Sequence, residues 1–352
     1  MRIGVDVTSA RTAYPSGIAW VATNLVDGLW RLGCRVVPLS RIRRHSAPPL
    51  PARIRPVTFL SLFGSTYDAL ILTDTRDLSV KARVRVAIIH DLISLQDADY
   101  APPHFKAKKQ AAYLHICRRA DAIVTPSRAV AREVQHRLPV PWGGVHAVAW
   151  GVNRVFVDGD VDEARLERLG VWRPFILCVG TLCRRKRQAE LVEAFRRRAV
   201  KGVQLVLVGR DGYGATAVRD AAKNSGNVRI VGHLEPATLS CLYRSAAVVI
   251  NVSEYEGFCL PVYEGCASGT AVVTTPVADV REDLSDAAVV VEDVEEGVEA
   301  ALELVANEKW RRSVGRACME AVREMDWETT AAQFVRLLRR LTAAKKRMLT
   351  SP

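Results

Sequence analysis

Histidine is scarce in this chain, at seven in 352 residues, and the eight cysteines are scattered. No two cysteines form a C-x-x-C pair, which argues against a zinc module or a disulfide framework. Reduced thiols, and hence a cytosolic setting, are the expectation. Long apolar runs are also missing: no stretch approaches eighteen uninterrupted apolar residues, so no membrane-spanning helix is expected. The opening MRIGVDV reads as a strand, with no charged segment leading into an apolar one, so no leader peptide is expected. At 49% hydrophobic and 25% charged, the composition has no disorder signature. A chain this long is expected to divide into two domains.

Acidic residues are scarce in one half only. Residues 1–150 hold 21 Lys plus Arg against 10 Asp plus Glu, a net of +11. Residues 151–352 hold 29 against 28, a net of +1. The two halves therefore meet different surroundings, and the first suits an anionic partner unless its charge is only a solvated face. The basic run lacks interleaved aromatics and lies in no recognisable DNA or RNA module, which argues against a nucleic-acid partner.

Short β-branched runs punctuate the first half: RIGVDV, RVVPLS, DALILTD, RVAIIHD, DAIVTPS and VHAVAW. Between them, Ile18, Val21, Ala22, Leu25 and Leu29 mark one helical face, and 104–119 and 127–138 read as further helices. Continuous apolar strands alternating with helices imply a parallel sheet covered on both faces. The pattern restarts after residues 150–170 with PFILCVGT, VQLVLVG, VRIVGH, AAVVINVS, TAVVTTP and AAVVVE, and the chain ends in a long basic helix. Two Rossmann-like, doubly wound domains are expected, 1–152 and 153–334, with 335–352 crossing back onto the first. Ligands of such sheets bind at the carboxyl ends of the strands, and the cleft between two facing sheets is the expected site.

The stretch SEYEGFCLPVYEG places Glu256 and Glu264 around a helix start, with Pro261 near the first helical position and Gly269 past the end. On this reading Glu264 falls in the first turn. The amides of Phe258, Cys259 and Leu260 would form an anion nest. Carboxylates beside it suit a ligand with hydroxyls on either side of its phosphates, since ionised carboxylates only accept hydrogen bonds. A nucleotide sugar has that layout. A capping glutamate beside a loop glutamate is the other reading of the pair. Arg184, Arg185 and Lys186 follow the strand that ends near Gly180, where cations can neutralise a diphosphate.

The combination resembles the retaining glycosyltransferases of family 4, the "group 1" family with the GT-B fold. The resemblance runs in order through IGVDVTSARTAYPSGIAWVATNLVDGL, VAIIHDL, ADAIVTPSRAVAREV, VGTLCRRKRQAELVEAF, LVLVGRDG and VRIVGHLEPATLSCLYRSAAVVINVSEYEGFCLPVYEGCASGTAVVTTPVADVRED. It implies that Glu256 holds donor-sugar hydroxyls and Glu264 the ribose, and that the Phe258, Cys259 and Leu260 amides, beside Gly257, face the distal phosphate. Arg185 and Lys186 would take the diphosphate charge near Gly180 and Thr181. Gly17 would belong to a glycine loop close to the phosphates, and His90 would stand near donor sugar and acceptor. Two departures stand out. Cys259 replaces a common glycine, which is harmless unless a positive φ is required there. Thr181 replaces an arginine found in other members, so it cannot share the phosphate charge.

The resemblance further implies hexosyl transfer with retention from GDP-mannose or a UDP-sugar, with no metal and no cofactor. The acceptor would be a glycan or a lipid-diphosphate-linked saccharide, in cell-surface polysaccharide or glycolipid assembly. A sugar epimerase or phosphorylase of the same fold is the alternative. An anionic membrane surface is a further candidate partner. Residues 39–63 mix Arg41, Arg43, Arg44, Arg53 and Arg55 with Leu50, Ile54, Phe59, Leu60 and Phe63, and the helix 104–119 adds Lys106, Lys108 and Lys109. A peripheral position at the inner face of the membrane is the corresponding expectation.

Overall fold

The computed structural model describes residues 1–11, 17–40, 57–58, 66–198 and 201–350. The chain divides into two compact units, one of residues 1–95, 103–151 and 325–352, the other of 96–102 and 152–324. The first contains β1 (Arg2–Asp6), α1 (Gly17–Arg31), β2 (Arg35–Ser40), β3 (Val57–Thr58), β4 (Thr66–Leu72), β5 (Lys81–Ile88), α2 (Pro103–Arg119), β6 (Ala122–Thr125), α3 (Arg128–Arg137) and β7 (Val145–Ala147). Its strands form one sheet in the order β3-β2-β1-β4-β5-β6-β7. Every pairing is parallel, with Ile3 beside Val36 on one side and Ala69 on the other. Ile3, Val5, Leu70, Ile71, Val86 and Ile88 are buried without residual exposure, as continuous apolar strands require when both faces are covered. Ser127 caps α3 by accepting the Val130 amide at 3.2 Å.

The second unit contains α4 (Arg154–Val157), α5 (Glu163–Leu169), β8 (Phe175–Val179), α6 (Gln188–Arg197), β9 (Gln204–Val208), α7 (Ala215–Ala222), β10 (Val228–Val231), α8 (Pro236–Ser245), β11 (Val248–Asn251), α9 (Leu260–Ala267), β12 (Ala271–Thr274), α10 (Val280–Leu284), β13 (Val289–Val290), α11 (Val294–Ala306) and α12 (Glu308–Ala321). Its six strands run parallel in the order β10-β9-β8-β11-β12-β13. Two waves of strands spread outward from β8, and the strand order reverses between β8 and β11. Connections leaving those neighbours on opposite faces open a crevice at their carboxyl ends.

The last helix, α13 (Trp327–Thr350), belongs to the first unit. The return begins at Met325 rather than at residue 335, because the start of the helix is itself core. Trp150 stacks on Trp327 with centroids 6.2 Å apart and on Phe334 at 6.3 Å. The backbones of α1 and α13 approach closely at Gly28, where an added Cβ would stand 2.5 Å from the Trp327 carbonyl oxygen. Residues 96–102 leave the first unit for the second, a departure that no periodicity announced. There Asp99 pairs with Arg184 and accepts the Tyr213 hydroxyl at 3.0 Å, while the Tyr100 hydroxyl donates to Glu254 at 3.0 Å.

A methyl group at Gly28 has nowhere to go without moving backbone. Gly28→Ala is expected to lower stability by about 1–3 kcal/mol, read as a fall in Tm. Gly226→Ala, where a Cβ meets nothing within 4 Å, should leave Tm nearly unchanged.

Candidate functional site

The carboxyl ends of β8 and β11 bring together residues seventy positions apart. After β8 come Gly180, Thr181 and a single 3-10 turn over Arg184–Lys186. After β11 come Val252, Ser253 and Glu256. Glu256 Oε1 receives Arg185 at 2.9 Å, Lys186 at 2.5 Å and the Ser253 hydroxyl at 2.9 Å. Arg185 also donates to the Tyr255 carbonyl and accepts the Glu254 amide on its own carbonyl at 2.9 Å. Lys186 and Glu256 are each about nine-tenths buried, so neither charge would be tolerable alone.

Local sequence explains why the cluster forms. Gly180 has φ +144°, and a Cβ there would lie 2.7 Å from Lys186 Cε, so only glycine lets the lysine stem cross the strand end. Gln188, buried at the start of α6, accepts the Cys183 amide at 3.1 Å and donates to the Thr181 carbonyl at 3.1 Å, fixing both sides of the basic turn. Burial by itself would raise the Glu256 carboxyl, but the Arg185 and Lys186 charges outweigh it and hold the group at about 2. Burial pulls the Lys186 ammonium the other way, and Glu256 again prevails, leaving it raised.

Helix α9 begins five residues beyond Tyr255. Cys259 precedes it with φ +69°, the left-handed conformation that a β-carbon disfavours by about 1–2 kcal/mol. The positive φ that would explain a glycine at this position is therefore required, and cysteine holds it nonetheless. Its carbonyl accepts the Val262 amide at 3.0 Å, starting the helix, and Phe258 stacks on Tyr263 with centroids 4.5 Å apart. Glu264 is the fifth residue of α9, not part of its first turn, and it is buried. Burial pushes its carboxyl up to about 7, partly offset by the Tyr243 hydroxyl donating at 2.9 Å. The two glutamates thus differ, one held ionised and one poised near neutrality. Ser253, Gln188 and Tyr243 were not singled out in the sequence; a buried polar side chain needs a partner, but nothing in the spacing reveals which one.

In the first unit, the strand ends hold His90. Its Nε2 lies 2.8 Å from the Thr73 carbonyl, so the imidazole donates there, and Thr73 Oγ1 in turn donates to the Asp6 carbonyl at 2.7 Å. Burial lowers the His90 pKa, which keeps the ring neutral at neutral pH. Asp91 accepts the Ile93 amide at 3.1 Å and so caps the short turn that follows. Gly17 opens α1, while residues 12–16 of its loop lie outside the described residues. So do Arg41, Arg43, Arg44, Leu50, Arg53, Ile54, Arg55, Phe59, Leu60 and Phe63, on which the expected membrane surface rests. Within α2, Lys109 reaches Asp74 at 3.5 Å, so part of that helix's charge is met within the unit. Arg184, grouped in sequence with Arg185 and Lys186, instead pairs with Asp99.

Among the described residues no group of three or more His, Cys, Asp or Glu is placed to hold a metal, and no helix is long and apolar enough to cross a membrane. The architecture is that of the GT-B fold. It resembles sucrose-phosphate synthase from Thermosynechococcus elongatus, with a TM-score of 0.78 at 20% identity over 97% of this chain and 99% of that one. It also resembles Anabaena HepE, solved in complex with UDP-glucose, with a TM-score of 0.75 at 15% identity over 97% of this chain and 100% of that one. Residues 173–307, which lie within the second unit, match the family described as glycosyl transferases group 1.

Curated relatives agree with this. O-antigen chain mannosyltransferase B of Escherichia coli is 25% identical over 172 residues, 47% of this chain and 45% of that protein. D-inositol 3-phosphate glycosyltransferase of Nocardiopsis dassonvillei is 26% identical over 275 residues, 72% of this chain and 62% of that protein. The chain thus spans about half the length of the curated relatives it matches.

The raised Glu264 carboxyl carries a pH signature. Its folded value of about 7 lies above the ordinary 4.5, so its contribution to stability is full below pH 4.5 and is lost as pH rises to about 7. Glu264→Gln should flatten the fall of Tm between pH 5 and 7.5 that the unaltered protein shows. An unchanged slope would place the Glu264 carboxyl in the ordinary range.

Proposed function

We propose that this chain transfers a hexose from a nucleotide-diphosphate sugar, with retention and without a metal, to a glycan or lipid-diphosphate-linked acceptor. The observation that carries the reading is the buried Glu256–Arg185–Lys186 cluster at the reversal point of the second sheet, one short loop before the start of α9. The family of the second unit and the mannosyl- and glycosyltransferase names of its relatives support it. The complex of Anabaena HepE with UDP-glucose supports a nucleotide-sugar donor. A cytoplasmic enzyme working at the inner membrane face is the setting this reading implies.

On this reading the diphosphate rests on Arg185, Lys186 and the amides of Phe258, Cys259 and Leu260 leading into α9. Arg185, Lys186 and Ser253 all reach Glu256 at Oε1, and donor-sugar hydroxyls donate to Oε2. Glu264, which accepts the Tyr243 hydroxyl, meets the ribose. As the bond from the anomeric carbon to the diphosphate breaks, the acceptor oxygen bonds to that carbon on the same face. The departing diphosphate keeps the electron pair and takes the acceptor proton. Charge on the leaving group peaks in the transition state, where Arg185 and Lys186 stabilise it most. Neutral His90, with its Nε2 proton committed to Thr73, offers Nδ1 as an acceptor for a sugar hydroxyl.

Lys186→Gln is expected to cut kcat about a hundredfold while changing nucleotide affinity less. Full turnover in that variant, with the fold intact by circular dichroism, would remove Lys186 from the reaction. A chelator should leave the rate unchanged, and loss of activity restored by a divalent cation would contradict the metal-free transfer.

The first-unit histidine gives a separate test. His90→Ala should retain nucleoside diphosphate affinity by isothermal titration while losing most transfer. Abolished nucleotide binding in a folded variant would place His90 in the nucleotide site instead.

A further inference from the structure

Part of the basic character of the first unit lies at a place with no part in the scheme above. Beyond Glu328, α13 has no acidic residue through Thr350, while it carries Arg336, Arg339, Arg340, Lys345, Lys346 and Arg347. Lys345 is met by Asp121 at 2.7 Å. Arg336, Arg339 and Arg340 line a cavity of about 470 Å³ between α13 and β7. His146 and Gln333 add polar groups to that lining, and it contains no carboxylate.

Several exposed arginines elsewhere sit on carboxylates: Arg197 on Glu295, Arg219 on Asp211, Arg281 on Glu292 and Arg312 on Glu308. Among the described residues none of the three cavity arginines has such a partner. At spacings of three and four residues they crowd one side of the helix, where like charges repel. An anion held among the three would relieve that repulsion. Planar guanidinium groups match the paired oxygens of a phosphate better than any point charge. The imidazole of His146 is oriented by the Gly143 carbonyl, 2.7 Å from Nε2. The β7 wall is the edge strand of its sheet, so backbone donors on its outer side have no further strand to pair with. The volume exceeds that of a bare phosphate and falls within the range of small-molecule sites.

We propose that the cavity between β7 and α13 is a second anion site, which binds a phosphate-bearing ligand through Arg336, Arg339 and Arg340. The phosphate comes either from a soluble phosphorylated compound or from a lipid headgroup, and two measurements on the full chain separate these sources. In the first, inorganic pyrophosphate is titrated while the amide resonances of Ala147, Val148 and Leu337 are followed. These report the cavity and not the Glu256 site. In the second, sedimentation with phosphatidylcholine vesicles is compared with and without phosphatidylglycerol. Both are repeated on Arg336→Gln/Arg340→Gln, a surface variant whose fold is checked by circular dichroism.

Saturable shifts at the cavity, weakened about tenfold or more in the variant, support the site and assign it to a soluble phosphate. Capture by phosphatidylglycerol vesicles that the variant loses, without pyrophosphate shifts at the cavity, supports it and assigns it to a headgroup. Neither response, or responses of equal strength in wild type and variant, overturns the proposal.

Discussion

A buried carboxylate with two cations on one of its oxygens organises the second unit. Glu256 can be buried only because Arg185 and Lys186 come with it, and removing one partner of such a cluster typically costs about 3–5 kcal/mol. The constraint spreads outward from there. Gly180 has no side chain because Lys186 crosses it. Gln188 is buried because the turn carrying the cations must be fixed at both ends. Ser253 completes the coordination of the carboxylate from the strand end. β8 and β11 are neighbours although β9 and β10 lie between them in sequence, and that reversal of strand order brings the two charge sets together.

The same loop and helix hold a second carboxylate under the opposite regime. Glu264 is buried with a single neutral donor, the Tyr243 hydroxyl, and is pushed up to about 7. Glu256 is buried among charges and is held at about 2. Two glutamates eight positions apart therefore have different protonation states near neutral pH, set by their surroundings alone. Cys259 between them keeps a left-handed backbone at a cost that glycine would avoid, a strain of the kind that concentrates at functional loops.

The first unit links its strand ends through backbone carbonyls. Asp6, Thr73 and His90 stand at the ends of β1, β4 and β5 and form a chain of hydrogen bonds, with the imidazole at its end. Its charge is unevenly satisfied. Lys109 and Lys345 find carboxylates within the unit, whereas Arg336, Arg339 and Arg340 of α13 gather around a cavity.

The sequence by itself determined the alternation of strand and helix, both parallel sheets, the restart near residue 152 and the resemblance of the second unit to a known family. Those features follow from local periodicity and from a compact motif, and both are written in consecutive residues. It also marked Arg185, Lys186 and Glu256 as candidates at strand ends and Glu264 as a candidate on the helix that follows, positions that the pattern itself locates. Only the tertiary structure decided how those residues are used. That Arg184 turns to Asp99 while its neighbours turn to Glu256 depends on residues 96–102 joining the second unit. That Glu264 is raised depends on its burial, and that Glu256 is lowered depends on Arg185 and Lys186, which stand at least seventy positions away in sequence. The return of the chain at Met325 was set by Trp150 stacking on Trp327 and Phe334, a packing choice across almost two hundred residues that no helical periodicity encodes. Periodicity reports which face of an element is buried; what lies against that face is settled only when distant segments meet.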